Sequence, residues 1–173
     1  MIDIINTKID ELKIIKPKIY NDNRGYFFES YNQKIFHDKI GKVDFVQDNE
    51  SKSSFGVLRG LHYQEAPYEQ SKLIRVIKGN IQDIAVDLRV NSPTYLKYVS
   101  VILNDENKKQ FFVPKGFAHG FLVLSNHAIV NYKVDCFYNK KYEKVIPYNN
   151  IDIDIDWKLD NQDILLSDKD RDF

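Results

Sequence analysis

Residues 111–123, FFVPKGFAHGFLV, hold two short apolar runs, FFV and FLV, divided by Pro114, Gly116 and a histidine, His119. Runs this short, rich in Phe and Val and cut by Pro and Gly, read as strands joined by a turn. The same pattern extends outward in both directions. LKIIKPKIY, GYFFESY, VDFVQD, GVLRGLHYQ, KLIRVIKG, IQDIAVDLRV and KYVSVIL precede it, and GFLVLS and AIVNYKVDCFY complete it. NDNRG, KGN, NSPT, NDENKK, PKG and SNH supply the turns. Many short strands at close spacing predict an all-β antiparallel sandwich or barrel. NQKIFHDKIG is the one clear short helix, with Asn32 as its N-cap and Gly41 as its stop. No linker, repeat or low-complexity segment interrupts the pattern, so residues 1–173 read as one domain. The polar tail, LSDKDRDF, is expected to wrap the surface or to close over something.

The chain of 173 residues is long enough for a sizeable core, and 43% hydrophobic with 29% charged residues is a globular composition. Lys+Arg and Asp+Glu are both 25, so the basic excess of a nucleic-acid surface is absent and any anion site must be local. The lone cysteine, Cys136, allows no intrachain disulfide and suits a reducing compartment. The opening residues lack the apolar core of a signal peptide, and no stretch approaches ~18 consecutive apolar residues. The expectation is a soluble cytoplasmic protein with no membrane or nucleic-acid partner.

Side chains alternate along a strand, which sorts some charges. Lys72 shares its parity with Ile74 and Val76. Asp83 lies with Ile81 and Ala85, opposite Ile84, Val86 and Leu88. A lysine and an aspartate on apolar faces are costly unless they are paired or used; the plain alternative is a pair of surface charges at strand ends. In GVLRGLHYQ, an ideal strand would point Arg59 and His62 to opposite faces. A bulge at Gly60 would bring them to one cavity.

His62 is open to three readings: a core histidine tied to a neighbour, a metal ligand or a general base. The spacing Pro-x-Gly-x-x-His that ends at His119 is the second half of the cupin signature, which implies a cupin-type β-barrel with His119 at its mouth. Metal-binding cupins take His-x-His and a glutamate from the first half. Here Leu61-His62-Tyr63-Gln64 stands in that place, so the ligand set is not assembled and no metal is expected. Cys136, in an aromatic strand, reads as a small core residue rather than a nucleophile. Neither a Gly-x-Ser-x-Gly elbow nor a Gly-rich phosphate loop is present. Proton transfer remains. His62 suits a general base, Lys72 and Arg59 suit an oxyanion or a phosphate, and Tyr132 or Tyr138 on one strand suits an acid. Each tyrosine reads equally as a barrel-wall aromatic.

FVQDNESKSSFGVLRGLHYQ, QSKLIRVIKGNIQDIAVDLRVNSPTY, FFVPKGFAHGFLVLS, DNRGYFFES and LLSDKD together resemble the dTDP-4-dehydrorhamnose 3,5-epimerase family, in the family's order. The resemblance implies a jelly-roll homodimer that acts without cofactor or metal on a nucleotide-linked 4-keto-6-deoxy sugar in rhamnose-type deoxysugar synthesis. It implies His62 of Arg-Gly-Leu-His as base, Asp170 as its orienting aspartate, Lys72 at the enolate oxygen and Tyr132 as acid. It places Asp83 and His119 in the pocket. For the nucleotide it implies Gln47, Asn49 and Arg59, with Tyr138 against the base, and Arg24, Phe27 and Glu29 contributed across the dimer. Thymidine diphosphate is the expected nucleotide. The alternatives are an epimerase of C3 or C5 alone, one for another nucleotide such as a guanosine-linked sugar, or a cupin that binds without catalysis. Glu50 departs from the histidine that many members carry there, and the chain ends at Phe173, where relatives usually continue.

Overall fold

The computed structural model describes residues 2–171. Strands β1 (Ile2–Asn6) and β2 (Lys13–Pro17) pair, as do β3 (Tyr20–Asp22) and β4 (Gly25–Phe27) in an exposed hairpin. Helix α1 (Gln33–Lys39) precedes β5 (Gln47–Ser54), β6 (Leu58–Gln64), β7 (Lys72–Lys78) and β8 (Asn80–Asp87). Next come β9 (Tyr98–Asn104), β10 (Gln110–Val113), β11 (Phe117–Val123), β12 (His127–Val134) and β13 (Glu143–Val145). A 3-10 turn (Asn161–Asp163) and a short helix α2 (Asp168–Arg171) end the described chain.

One sheet runs β1-β2-β10-β7-β12-β5 and the other β13-β6-β11-β8-β9. Their ladders are antiparallel, which makes the expected cupin-type jelly roll. The space between the sheets is filled from both: Ile74 and Val76, Ile81 and Ala85, Phe111 and Phe121 belong to one buried cluster. Phe111 is fully buried, and a side chain of that size adds roughly 1.5–3 kcal/mol when removed from water. The alternate residues of β8, Ile84 and Val86, face outward under Ile153 and Trp157. The expected parity of β8 therefore holds.

Helix α1 begins where Asn32 accepts the Ile35 backbone N–H at 3.2 Å, as an N-cap does, and Gly41 follows it at φ +141°. Its Phe36 packs on Ile15, Leu73 and Phe112 against the outer face of the first sheet. Val43 and Phe45 join that cluster, which corrects the strand expected over VDFVQD. The strand starts only at Gln47 and carries polar residues on both faces. A second correction concerns AIVNYKVDCFY. β12 ends at Val134, because the Asp135 carboxylate accepts the Ser71 N–H at 2.7 Å and the Cys136 carbonyl accepts from Gln70 Nε2 at 2.7 Å. Cys136 is thus a half-buried loop residue, not a strand residue of the core.

Candidate active site

The register between β6 and β11 places His62 opposite His119 and Arg59 opposite Phe121. Two residues, Gly60 and Leu61, therefore oppose the single Gly120, and the strand bulges. A Cβ on Gly60 would lie 2.6 Å from Gly120 Cα and 2.8 Å from the His119 carbonyl, at a backbone φ of +125°. Only glycine fits that approach. The bulge turns Arg59 and His62 into the same cavity, of about 270 Å³, which Ser51, Lys72, His119, Tyr132 and Tyr138 also line. An adjoining lobe of about 240 Å³ adds Gln47, Asn49, Gln64 and Gln70. The inward residues of β5, Gln47, Asn49, Ser51 and Ser53, are polar because most of them face this cavity rather than the core.

Asp170, buried on α2, meets His62 Nε2 at 2.6 Å and takes a second hydrogen bond from Ser167 Oγ at 2.8 Å. An ionised carboxylate only accepts, so Nε2 carries the proton and Nδ1 is left with its lone pair. Burial pushes the His62 pKa below its ordinary value, against the upward pull of the Asp170 contact. The ring is therefore neutral at pH 7 and able to take a proton. The tail does close over something, as expected: α2 docks Asp170 and Lys169 at the cavity.

Lys72 reaches the interior from β7, 8% exposed, and its Nζ makes one long contact, 3.4 Å to the His62 carbonyl. Desolvation lowers its pKa to about 8, while Asp83 and then Glu143 hold the proton on. Tyr132 enters from β12 of the same sheet. Burial raises its pKa above the ordinary phenol value, partly offset by Arg59, so it holds its proton at pH 7. Asp83 is fully buried, and its Oδ1 lies 2.6 Å from His119 Nε2. Tyr138 lies beyond the strand end rather than on it, yet still lines the cavity. Its hydroxyl donates to Glu143 at 2.7 Å, and that bond, with some burial, pushes its pKa up to about 12.

Sequence reasoning missed Glu143 and Lys169, which pair at 2.5 Å on the cavity wall. Lys169 stands beside Asp170 in the sequence, a signal that could have found it. Glu143 sits in a three-residue strand that carries no pattern of its own. Arg24, Phe27 and Glu29 do not join the cavity of their own chain. Arg24 is exposed and paired with Asp22 at 2.7 Å, Phe27 is 67% exposed, and Glu29 accepts from Asn32 Nδ2 at 3.1 Å. Glu50 is exposed on the outward face of β5, consistent with a bystander. Among the described residues no group of three His, Cys, Asp or Glu side chains is placed to hold a metal ion.

A family model described as dTDP-4-dehydrorhamnose 3,5-epimerase matches residues 6–173. A dTDP-4-dehydrorhamnose 3,5-epimerase of Shigella flexneri is 52% identical over 169 residues, 97% of this chain and 92% of that protein. The crystal structure of a dTDP-6-deoxy-D-glucose-3,5-epimerase from Legionella pneumophila in complex with dTDP-4-keto-L-rhamnose superposes with TM-score 0.95 and 51% identity, covering 99% of this chain and 90% of that one. A dTDP-4-dehydrorhamnose 3,5-epimerase from Bacillus anthracis with TDP and pyrophosphate bound gives TM-score 0.95 at 42% identity, covering 99% and 97%.

Proposed function

The chain belongs to the dTDP-4-dehydrorhamnose 3,5-epimerase family, and we propose the residue roles by which it inverts C3 and C5 of dTDP-4-dehydro-6-deoxy-D-glucose. The C4 ketone acidifies the hydrogens on both neighbouring carbons. Loss of either gives an enolate, and return of a proton to the opposite face inverts the centre. His62 Nδ1 takes the proton, with Asp170 holding the ring and the charge it gains. Lys72 stabilises the enolate oxygen, a contribution of about 3–4 kcal/mol for one preorganised donor. Tyr132 returns the proton. The observation that carries this reading is the placement of base and acid on different sheets: His62 stands on β6, and Tyr132 and Lys72 stand on β12 and β7 across the same cavity. A ring held between them meets a base on one face and an acid on the other.

Arg59 binds the diphosphate from the strand that carries the base. Gln47, Asn49 and Tyr138 take the thymine, with His119 and Asp83 behind the sugar. A second subunit supplies Arg24, Phe27 and Glu29, so the functional unit is a homodimer. Neither metal nor organic cofactor enters the reaction. No helix among the described residues is long and apolar enough to cross a membrane, and the cytoplasm, which suits the lone Cys136, is the proposed location.

The test is incubation with the dTDP-linked 4-keto sugar in D2O. Deuterium at both C3 and C5 of the product is expected. Deuterium at one carbon reduces the enzyme to a single epimerase, and none at either overturns the mechanism.

A further inference from the structure

The roles given above leave two features of the barrel interior unexplained: why Asp83 is buried with one oxygen open, and what keeps the buried Lys72 charged. Asp83 is a fully buried carboxylate with one oxygen on His119 Nε2 at 2.6 Å and the other, Oδ2, without a hydrogen-bond partner among the described residues. Lys72 is a buried ammonium whose one hydrogen bond among the described residues, at 3.4 Å, is a weak one. A buried carboxylate with one oxygen unsatisfied and a buried ammonium with a single weak contact are each costly for a core to hold. They face the same interior from opposite sheets, β8 and β7.

On the footing of the proposed reaction, we infer that Asp83 and His119 are a positioning pair for Lys72: Asp83 keeps the buried ammonium charged and aimed at the ketone oxygen, and His119 holds Asp83 in place. A neutral amine could not neutralise a developing enolate, so the lysine is useful only while it keeps its proton. Desolvation strips that proton, and the strongest opposing charge is Asp83, with Glu143 second. His119 then has a reason to donate to Asp83 through Nε2. The hydrogen bond fixes the carboxylate with Oδ1 occupied and leaves Oδ2 as the open acceptor.

Several other groups face the ammonium. His62 comes from β6, Tyr132 from β12, Tyr138 from the loop after it, Glu143 from β13 and Lys169 from α2. Glu65, Glu69 and Arg89 border a further cavity that also reaches Lys72. Of these, Lys169 pushes the ammonium toward deprotonation and Glu143 opposes it. The readout must therefore be Lys72 itself and not the pH profile alone.

The experiment is titration of the Lys72 side-chain nitrogen by 15N NMR of lysine-labelled protein, with Lys72→Met to assign the signal. In Asp83→Asn the midpoint should fall by about one pH unit, the low end of the effect an opposite charge exerts on a buried group. Glu143→Gln should move it less. Alongside, kcat of Asp83→Asn should drop most steeply on the alkaline side while KM changes little. A Lys72 midpoint in Asp83→Asn equal to wild type overturns the inference. A second readout covers variants that fold poorly. Lys72→Met strands the Asp83 carboxylate and Asp83→Asn strands the ammonium, so the double variant, with neither charge, should fold and melt above both single variants. A double variant that melts no higher than the singles also overturns the inference. Neither measurement needs turnover, so an absence of epimerase activity in the wild type would remove the proposed reaction and leave these results to be read separately.

Discussion

At position 62 the imidazole lines the cavity with Nε2 committed to Asp170 at 2.6 Å, and the two members of that pair can be removed one at a time. His62→Ala should lower the rate by about 10²- to 10⁴-fold, the range of a lost general base, and abolish deuterium uptake at both carbons while dTDP still binds. Asp170→Asn should cost less, because that residue orients the ring and does not touch the carbon-bound hydrogen. Exchange near the wild-type rate in His62→Ala would exclude the assignment. Tyr132→Phe separates the other half of the reaction. Its base is intact, so wash-out of substrate hydrogen should persist while inversion slows. If exchange and inversion fall together to the His62→Ala level, acid and base do not stand on separate faces. The residue types alone offered His62, Lys72 and Arg59 for proton transfer and left Tyr132 and Tyr138 open, while Asp170 came from the resemblance; the structure brings His62, Lys72, Tyr132 and Tyr138 to one cavity and Asp170 onto His62. Glu143 was not legible. Its place beside Tyr138 and Lys169 is made by a three-residue strand pairing with β6, and such a pairing is a tertiary event with no local pattern.

Among the elements, the interior strands read well because their apolar alternation is strong, and β8 kept its predicted parity. The failures share a cause. β5 was read too early, over VDFV, because sequence patterning looks for apolar residues, and this edge strand has given its inward positions to the cavity. VDFV instead covers α1, where Val43 and Phe45 meet Phe36. β12 was read too long because Tyr138 continues its alternation, although Asp135 and Cys136 leave the sheet to bond Ser71 and Gln70. The bulge in β6 was open in the sequence as a question of side-chain direction, and the opposed pair Gly60 and Gly120 answers it. Gly60→Ala tests the answer. The added methyl meets backbone atoms of Gly120 and His119 that cannot swing aside, at a φ that costs a non-glycine residue roughly 1–3 kcal/mol. The variant should melt several degrees lower and lose kcat well beyond its loss of dTDP affinity, because Arg59 and His62 no longer address one cavity. A variant that melts and turns over as wild type would show that the bulge does not set their aim.

For the whole molecule, the cavity and the exposed hairpin of β3 and β4 are parts that one chain does not bring together. Phe27 at 67% exposure and Tyr26 at 56% are large aromatic surfaces for a lone subunit to leave in water. Arg24 is exposed there as well, paired only with its near neighbour Asp22 among the described residues. If a partner's hairpin completes each site, defects in the hairpin and defects in the cavity lie in different chains and can complement one another. Arg24→Ala and His62→Ala should each be nearly inactive at limiting substrate. In a mixed two-fold dimer of the two variants, one site carries both defects and the other carries neither. Co-expression with random pairing makes half of the dimers mixed, so about a quarter of wild-type activity should return. The same mixture of separately purified variants, before subunits exchange, should stay inactive. Wild-type sedimentation at the mass of two chains should accompany this result. If the co-expressed pair is no more active than the singles, the hairpin serves the cavity of its own chain or does not serve it at all, and the shared site is excluded.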